Sequence, residues 1–381
     1  MSKHQASTQP LSGRRAQTEN TVPLFWPVEL AATIAKGEVG LFTRGLATLA
    51  EAQKLELGLQ PKFATANTVI VELHTLRLRD FSNAADLKEC PTLIDAPYAG
   101  HTAVIADFHS NQSLVQTLLA NGLNRVLVTD WKSATDEMKD YDIDNYLADL
   151  NVCIDDLGGR VNLVGLCQGG WMSAMYAARF PDKVRSLVLA GAPIDTDAGD
   201  GAIKTMAHDL PMAEYEGLIA MGGGLMRGQY MLDAWKNMHP GEHYVRKYLD
   251  LYNHIDDPGY LEKEEAFEAW YENPIDLPGR WYLQAVRELF KENRLAKGTF
   301  KGLGVLLSLK VVTCPIYLLA GADDDITPKE QVFSAEKYLG TSAANIVKTL
   351  VPGGHIGLFM GTGTLKESWP SIAQWIASAS E

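Results

Sequence analysis

A cysteine near the middle of the chain stands in a pattern that is typical of a catalytic nucleophile. Cys167 directly follows an apolar run, residues 161–166, and lies between Gly165 and Gly169. A sharp turn from a strand into a helix needs small residues two positions before and after its central residue, because larger side chains would clash there. The start of a helix also favours a thiolate. The pattern therefore predicts that Cys167 attacks an acyl carbon.

The base that such a nucleophile needs is predicted to be His355. Enzymes with this turn place the nucleophile, the acid and the histidine in that order along the chain. His355 follows the last predicted strand, in the run Val-Pro-Gly-Gly-His, and it alone among the nine histidines has this placement. The two glycines provide a loop that can hold an imidazole over the cysteine.

Three adjacent carboxylates compete for the role of the acid that orients this histidine. Asp323, Asp324 and Asp325 follow the apolar run Cys-Pro-Ile-Tyr-Leu-Leu-Ala-Gly. Gly321 stands three residues before Asp324, and Pro328 stands four residues after it. Because a glycine and a proline at these distances are the usual setting of this acid, the sequence predicts Asp324, with its two neighbours as alternatives.

Backbone N–H groups must bind the negative charge that develops on the attacked carbonyl oxygen. One of them is normally the amide after the nucleophile, which belongs to Gln168 in this chain. The second comes from a turn after an earlier strand, and residues 98–101 occupy that place. The backbone N–H groups of Tyr98, Ala99, Gly100 and His101 are all placed to provide it, and we predict Gly100 or His101.

The elements that must position these residues form an α/β pattern. Short apolar runs, each followed by a turn, alternate with helix-length segments, which is typical of strands buried on both faces of a parallel sheet. Residues 66–82 alternate in polarity and predict an edge strand, and a last strand and a C-terminal helix are predicted near residues 346–350 and 368–377. A nucleophile turn in such a sheet predicts the α/β-hydrolase fold. The apolar runs are PTLIDAPYAG, NRVLVTDW, RVNLVGLC, VRSLVLAG and CPIYLLAG.

The pattern divides the chain into four segments. Residues 1–22 are polar and predict a disordered tail. Residues 23–196 predict N-terminal helices followed by the first part of the sheet, which residues 305–381 complete. Residues 197–304 predict a helical cap without a strand, inserted after the fourth of the apolar runs.

Five large side chains are predicted to line a substrate site between the cap and the cysteine. They are Trp171, which follows the cysteine by one helical turn, and Met226, Trp235, Trp270 and Trp281 in the cap. The alternative is simple packing, because Met and aromatic residues in helices are more often part of a core.

The composition excludes several classes of function. Among 381 residues, 47 are Asp or Glu and 34 are Lys or Arg, and the formal charge of −13 disfavours a nucleic-acid partner. No apolar stretch has the length of a membrane span, and no secretory signal is evident, so a cytoplasmic location is expected. No motif indicates a metal or a cofactor, and the four cysteines form no CxxC pair. The sequence leaves a homo-oligomer open.

Several separated segments between about residue 50 and the C-terminus carry a resemblance to a known family. They are APYAGHTAVI, VTDWKSA, DIDNYL with Asp144, WYLQAVRELFKENRLAKG, AGADDDITP and GGHIGLF. In these segments the chain resembles the intracellular poly(3-hydroxyalkanoate) depolymerases. The resemblance implies an α/β hydrolase with a cysteine nucleophile that cleaves (R)-3-hydroxyacyl ester bonds in stored polyester granules. It implies that Cys167, Asp324 and His355 form the triad, and that the partner is the granule or a 3-hydroxyacyl compound.

The poly(3-hydroxyalkanoate) synthases share this layout and are the alternative. The motif Gly-Leu-Cys-Gln-Gly-Gly is closer to theirs, whereas Asp325 stands where synthases usually have a second histidine. The helix WYLQAVRELF is closer to the depolymerases, so hydrolysis is preferred over polymerisation at this point. A non-catalytic granule-associated protein and a hydrolase of small soluble esters are further alternatives.

Overall fold

The computed structural model describes residues 39–56, 59–82, 89–238 and 247–379. The chain divides into two compact units, residues 1–53 and residues 54–381. The described part of the first unit belongs to helix α1 (Val39–Glu56), and all other elements belong to the second unit. The predicted tail, residues 1–22, lies outside the described residues.

Fourteen strands lie within the described residues, and eight of them form one sheet with the order β1-β2-β6-β3-β7-β8-β13-β14. The pairs from β6 to β14 are parallel, whereas β1, β2 and β6 pair antiparallel. In chain order the strands are β1 (Thr68–Glu72), β2 (Leu76–Asp80), β3 (Thr92–Asp95), β4 (Asp107–His109), β5 (Gln112–Ser113), β6 (Val126–Trp131), β7 (Val161–Leu166), β8 (Val184–Ala190), β9 (Leu225–Met226), β10 (Leu277–Pro278), β11 (Lys301–Gly302), β12 (Val305–Leu306), β13 (Ile316–Gly321) and β14 (Ile346–Val351).

Helices cover both faces of this sheet. None of those in the described residues combines the length and the apolar character that crossing a membrane requires. A π-helix spans Ala285–Lys291, and short 3₁₀ turns connect other elements. After α1, the α-helices are α2 (Leu114–Ala120), α3 (Ile143–Asp156), α4 (Gln168–Arg179), α5 (Ala202–Asp209), α6 (Met212–Met221), α7 (Gly228–Met238), α8 (Lys247–Asn253), α9 (Pro258–Tyr271), α10 (Gly279–Gln284), α11 (Arg294–Lys297), α12 (Lys329–Phe333), α13 (Gly357–Met360), α14 (Thr362–Glu367) and α15 (Trp369–Ala379).

The central strands are buried on both faces, as their continuous apolar runs predict. Every residue of β3, β7 and β13 is buried. Side chains alternate between two cores, so that Leu163 packs in one and Val164 in the other. Burial on both sides is what a parallel sheet with covering helices requires. This part of the architecture is the predicted α/β fold.

The first segment of the sheet differs from its prediction. Residues 66–82 form two antiparallel strands, β1 and β2, rather than a single edge strand. The chain reverses where Leu73 N donates to Leu76 O at 2.8 Å, and the register shifts between Val69 and Val71. Because alternating polarity continues through the turn, periodicity alone could not reveal the reversal.

The segment between β8 and β13, predicted as a cap without a strand, holds helices α5 to α11 together with short strands. β9 pairs with β10, and β11 pairs with β12. Strands of two residues leave no alternating pattern, which explains why the sequence did not indicate them. The run WYLQAVRELFKENRLAKG, predicted as one helix, contains α10, the π-helix and α11, and it ends at Gly298 with φ 67°.

A carboxyl group at the end of β3 is fully buried where three elements meet. Asp95 Oδ2 accepts a hydrogen bond from Ser173 Oγ of α4 at 3.1 Å. Its Oδ1 accepts from Thr129 Oγ1 at 3.1 Å and from Trp131 Nε1 at 3.3 Å, both in β6. Burial raises the pKa of Asp95 to about 7, and the three hydrogen bonds oppose this rise. The group therefore links β3, β6 and α4 while it titrates near neutral pH.

Replacing this carboxyl is expected to change how stability depends on pH. Folded Asp95 titrates at about 7, whereas an unfolded aspartate titrates near 4. Between these values the folded state keeps a proton that the unfolded state has released, so rising pH disfavours folding by up to about 4 kcal/mol in total. Urea unfolding from pH 5 to pH 8 should therefore show the wild type losing stability relative to Asp95→Asn. The same comparison with the exposed Asp182→Asn should give a constant difference, and a constant difference for Asp95→Asn would refute the expectation.

Candidate active site

Cys167 lies at the turn between β7 and α4 in a backbone conformation that side-chain-bearing residues rarely adopt. Its φ is 51° and its ψ is −117°, and non-glycine residues with positive φ are uncommon and strained. A β-carbon on Gly169 would lie 2.1 Å from Asp95 O, and one on Gly165 would lie 2.5 Å from Gly170 Cα. The glycines are therefore a steric requirement of the turn, as their spacing predicts.

A histidine and a carboxylate approach the cysteine from the loops that follow β14 and β13, the last two strands in the order of the sheet. His355 Nδ1 donates a hydrogen bond to Asp324 Oδ2 at 2.7 Å. The other oxygen, Asp324 Oδ1, accepts from the backbone N–H groups of Ile326 at 3.0 Å and Thr327 at 2.8 Å. These bonds fix the carboxylate, which in turn fixes the orientation and the tautomer of the imidazole.

Of the three adjacent carboxylates, Asp324 is the one that accepts the hydrogen bond from His355 Nδ1. Asp324 is buried, whereas Asp323 and Asp325 are exposed. Asp323 Oδ2 accepts from Gly353 N at 3.3 Å and so supports the loop that carries His355. The sequence alone could not separate the three on charge, because the difference arises from how the loop turns after β13.

The electrostatics of the histidine fit a proton acceptor for a thiol. Burial acts to lower the pKa of His355, but the charges of Cys167 and of Asp324, with the hydrogen bond to Asp324, raise it well above its ordinary value. The opposite ring nitrogen, Nε2, is buried and has no conventional hydrogen-bond partner among the described residues. It is therefore available to exchange a proton with the Cys167 thiol, and an imidazolium beside a thiolate is favoured.

The turn after β3 lies against the cysteine, and the side chain of Gln168 holds it. Tyr98 N donates a short hydrogen bond to Gln168 Oε1. The sequence indicated a role for the backbone of Gln168 but gave no signal for this role of its side chain. Tyr98 and Ala99 both line the cavity at Cys167, and Ala99 is the next amide along the turn.

The two residues predicted to donate from this turn lie elsewhere. Gly100 and His101 are not among the residues that line the cavity. Gly100 O accepts from Ile275 N at 2.8 Å, which ties this part of the turn to the cap. The His101 ring lies 4.7 Å from the Trp270 ring, and its Nε2 donates to Tyr271 O at 2.9 Å. Burial lowers the pKa of His101 to about 4, so the ring is neutral and serves packing.

A cavity of about 310 Å³ extends from Cys167 into the cap, and its wall is overwhelmingly apolar. Of the five residues predicted to line a substrate site, Trp171, Met226, Trp235 and Trp281 contribute to this wall, whereas Trp270 does not. Trp171 and Trp281 lie with their ring centroids 5.8 Å apart. A larger groove of about 670 Å³ lies between the cap and residues 139–142; half of the residues that line it are charged, and it includes no member of the triad. The apolar cavity at Cys167 is therefore the candidate substrate site.

Comparison with known proteins gives relatives along most of the chain. A polymerase of Haloferax mediterranei, "Poly(3-hydroxyalkanoate) polymerase subunit PhaC", is 27% identical over 329 residues, which are 83% of this chain and 65% of that protein. This chain thus spans less than two thirds of the Haloferax protein. A protein of the same name from Allochromatium vinosum is 26% identical over 344 residues, which are 87% of this chain and 93% of that protein.

Solved structures and a family match complete the comparison. A crystal structure from work on carboxylesterases of Nitrososphaera gargenis has a TM-score of 0.50 and 16% identity, and covers 84% of this chain and 98% of that one. Together with the sheet order, this likeness shows the α/β-hydrolase fold. Residues 69–378 match the family described as "Protein of unknown function (DUF3141)". The chain belongs to the DUF3141 family.

Proposed function

We propose that this protein is a cysteine-dependent acyltransferase that takes (R)-3-hydroxyacyl groups from coenzyme A thioesters and joins them into polyester. The observation that carries the proposal is the arrangement of Cys167 at the strained turn, His355 beside it, and Asp324 bonded to His355 at 2.7 Å. These are the nucleophile, base and orienting acid of acyl transfer.

The names of the relatives favour polymerisation over hydrolysis. Motifs in the sequence favour a depolymerase, with synthase activity as the alternative. The relatives from Haloferax and Allochromatium are both named as polymerase subunits. Ester-acting chemistry is common to both functions, and the preference for thioester donors rests on these relatives. The expected partners are then a 3-hydroxyacyl thioester and a polyester chain, and the expected location is a polyester granule.

The acylation step follows from the geometry. His355 Nε2 takes the proton of the Cys167 thiol, and the thiolate attacks the carbonyl carbon of the thioester. The negative charge that develops on the carbonyl oxygen is bound by the backbone N–H of Gln168 and by that of Ala99, in place of the Gly100 or His101 predicted from sequence. When the C–S bond to coenzyme A breaks, His355 returns the proton to the departing thiolate. Cys167 is left as an acyl thioester.

The second step determines whether the enzyme polymerises or hydrolyses. In the proposed reaction, the hydroxyl group of a growing chain gives its proton to His355, and its oxygen attacks the acyl group on Cys167. An ester bond forms, the C–S bond breaks, and Cys167 recovers the proton from His355. Water at the same place would release a free acid instead. An apolar cavity under a cap disfavours water near the acyl group, which supports transfer to an alcohol.

The proposed reaction is tested by offering both classes of substrate to the purified protein. With 3-hydroxyacyl-coenzyme A we expect release of coenzyme A together with formation of insoluble polyester, and Cys167→Ala should abolish both. Amorphous poly(3-hydroxybutyrate) granules are offered separately, and soluble acid is measured. Release of acid from granules that depends on Cys167, without polymer from the thioester, would establish the depolymerase instead. Inactivity on both substrates would reject both functions.

Asp324→Asn is expected to reduce kcat by about a hundredfold to ten-thousandfold, because the amide cannot hold the imidazole in the required tautomer. KM should change little, since Asp324 does not line the cavity. The matched control is Asp325→Asn at the exposed neighbour, where we expect less than a threefold change. Initial rates of coenzyme A release measure both variants, and equal losses would show that the acid has been assigned wrongly.

The pKa of His355 is expected to fall in Cys167→Ala. The charge of Cys167 is the largest influence that raises this pKa, and burial, which lowers it, remains in the variant. Titration of the ring nitrogens by NMR measures the shift. Cys314→Ala, at a cysteine outside the site, should leave the pKa of His355 unchanged. An unchanged value in Cys167→Ala would mean that the thiol and the imidazole do not interact.

A further inference from the structure

The cavity at Cys167 runs from the nucleophile at the core end to an apolar wall at the cap end. At the core end it meets Cys167, Gln168 and the turn at Ala99. At the cap end its wall is overwhelmingly apolar and is formed in part by α5 and the π-helix, which pack against each other. Met206 and Ala207 of α5 and Phe290 of the π-helix contribute to it. An acyl group held on Cys167 would therefore extend its tail between these two helices.

The volume of the cavity exceeds what a short acyl group needs. A cavity of about 150 Å³ lined by apolar side chains holds one benzene molecule, so the 310 Å³ here accommodate about twice as many non-hydrogen atoms. A 3-hydroxybutyryl group would occupy about half of that space. A 3-hydroxyoctanoyl or 3-hydroxydecanoyl group would occupy most of it.

Either a longer alkyl tail or a second 3-hydroxybutyryl unit could fill the other half of the cavity, and the polarity of the cavity wall decides between them. Two linked 3-hydroxybutyryl units have about the same size as one long hydroxyacyl group, but they place a second ester group at the cap end. The wall is overwhelmingly apolar, so a second ester group there would lose most of its hydration without replacement, which is unfavourable. An alkyl tail has no such requirement and gains from burial. The apolar wall therefore favours one long tail over two short units.

We propose that this cavity is an acyl-chain pocket that selects medium-length 3-hydroxyacyl groups, 3-hydroxyoctanoyl and 3-hydroxydecanoyl, over 3-hydroxybutyryl. The inference rests on the proposed function for the reaction at Cys167, but the pocket itself can be tested without that reaction. Each buried methylene strengthens binding about fourfold. We therefore expect kcat/KM and affinity to rise at least tenfold from the four-carbon to the eight-carbon substrate.

Binding is measured first, with the Cys167→Ala variant and free (R)-3-hydroxy acids of four, six, eight and ten carbons. Trp171, Trp235 and Trp281 line the cavity, so their fluorescence reports its occupation. We expect the dissociation constant to fall steadily up to eight or ten carbons. Equal affinity for all four acids, or tightest binding of the four-carbon acid, would overturn the proposal.

Filling the cap end with larger side chains should shift the preference towards short acids. Ala207 and Ala285 are buried and line the cavity from α5 and from the π-helix. Ala207→Leu and Ala285→Leu are each expected to weaken binding of the ten-carbon acid at least tenfold and that of the four-carbon acid less than threefold. The matched control is Ala213→Leu, at an exposed cap residue that does not line the cavity, which should change neither. Equal effects of Ala207→Leu on long and short acids, in a variant with wild-type thermal stability, would also overturn the proposal.

Acylation of the wild type then separates this inference from the proposed function. 3-Hydroxyacyl-coenzyme A thioesters of the same four lengths are compared with the 4-nitrophenyl esters of the same acids. If the esters acylate Cys167 with a preference for long chains while the thioesters do not react, the pocket is supported and the thioester-dependent function fails. If the thioesters react at rates that do not depend on chain length, the function stands and the pocket is rejected.

Discussion

The positive φ of Cys167 is the constraint on which the arrangement of the site depends. In this conformation the nearby glycine positions on either side of the cysteine lie so close to neighbouring elements that only glycine fits there. A β-carbon on Gly169 would meet Asp95 O of β3 at 2.1 Å, and one on Gly170 would meet the Ala192 β-carbon just after β8 at 2.3 Å. Three strands thus converge on the turn. Their packing holds the sulfur at the carboxyl ends of the strands, where the loops after β13 and β14 place Asp324 and His355.

The same convergence explains why the turn after β3 is part of the site. Asp95 ends this strand, is hydrogen-bonded to Ser173 in the helix that follows Cys167, and packs its carbonyl against Gly169. Three residues later, Tyr98 N is bonded to the side chain of Gln168. The turn and the nucleophile are therefore positioned by one network, and movement of either would disturb the other. Such coupling is what a preorganised site for a developing negative charge requires.

Much of the fold and of the site could be predicted from the sequence, because its signals are local. Buried strands appear as continuous apolar runs, and the cysteine turn appears as glycines at fixed spacing. The order of Cys167, Asp324 and His355 along the chain then follows from the order of the strands. The structure brings His355 and Asp324, which are 31 residues apart in the chain, into contact at 2.7 Å.

What could not be predicted depends on contacts between distant segments. Gly100 is turned towards the cap because Ile275 donates to its carbonyl, and residue 275 has no local pattern that reveals this. The hairpin of β1 and β2 and the pair of β9 and β10 are likewise set by partners far along the chain. The three side chains also cannot reveal whether the enzyme hydrolyses an ester or transfers an acyl group, because both reactions use the same three.

The π-helix at Ala285–Lys291 provides a way in which the cavity at Cys167 could change its shape during evolution. A π-turn contains one residue more than the α-turn that it replaces, and such turns are rare and often occur at functional sites. Loss of a single codon here would restore a regular α-helix and leave the flanking turns in nearly the same orientation, because the wide turn holds its extra residue without rotating the rest of the helix. The residues within the turn would change their positions, and Ala285, Val286 and Phe290 of this segment line the cavity. Insertions and deletions in this segment are therefore events by which relatives could acquire differently shaped cavities while keeping the cysteine, the aspartate and the histidine of the site.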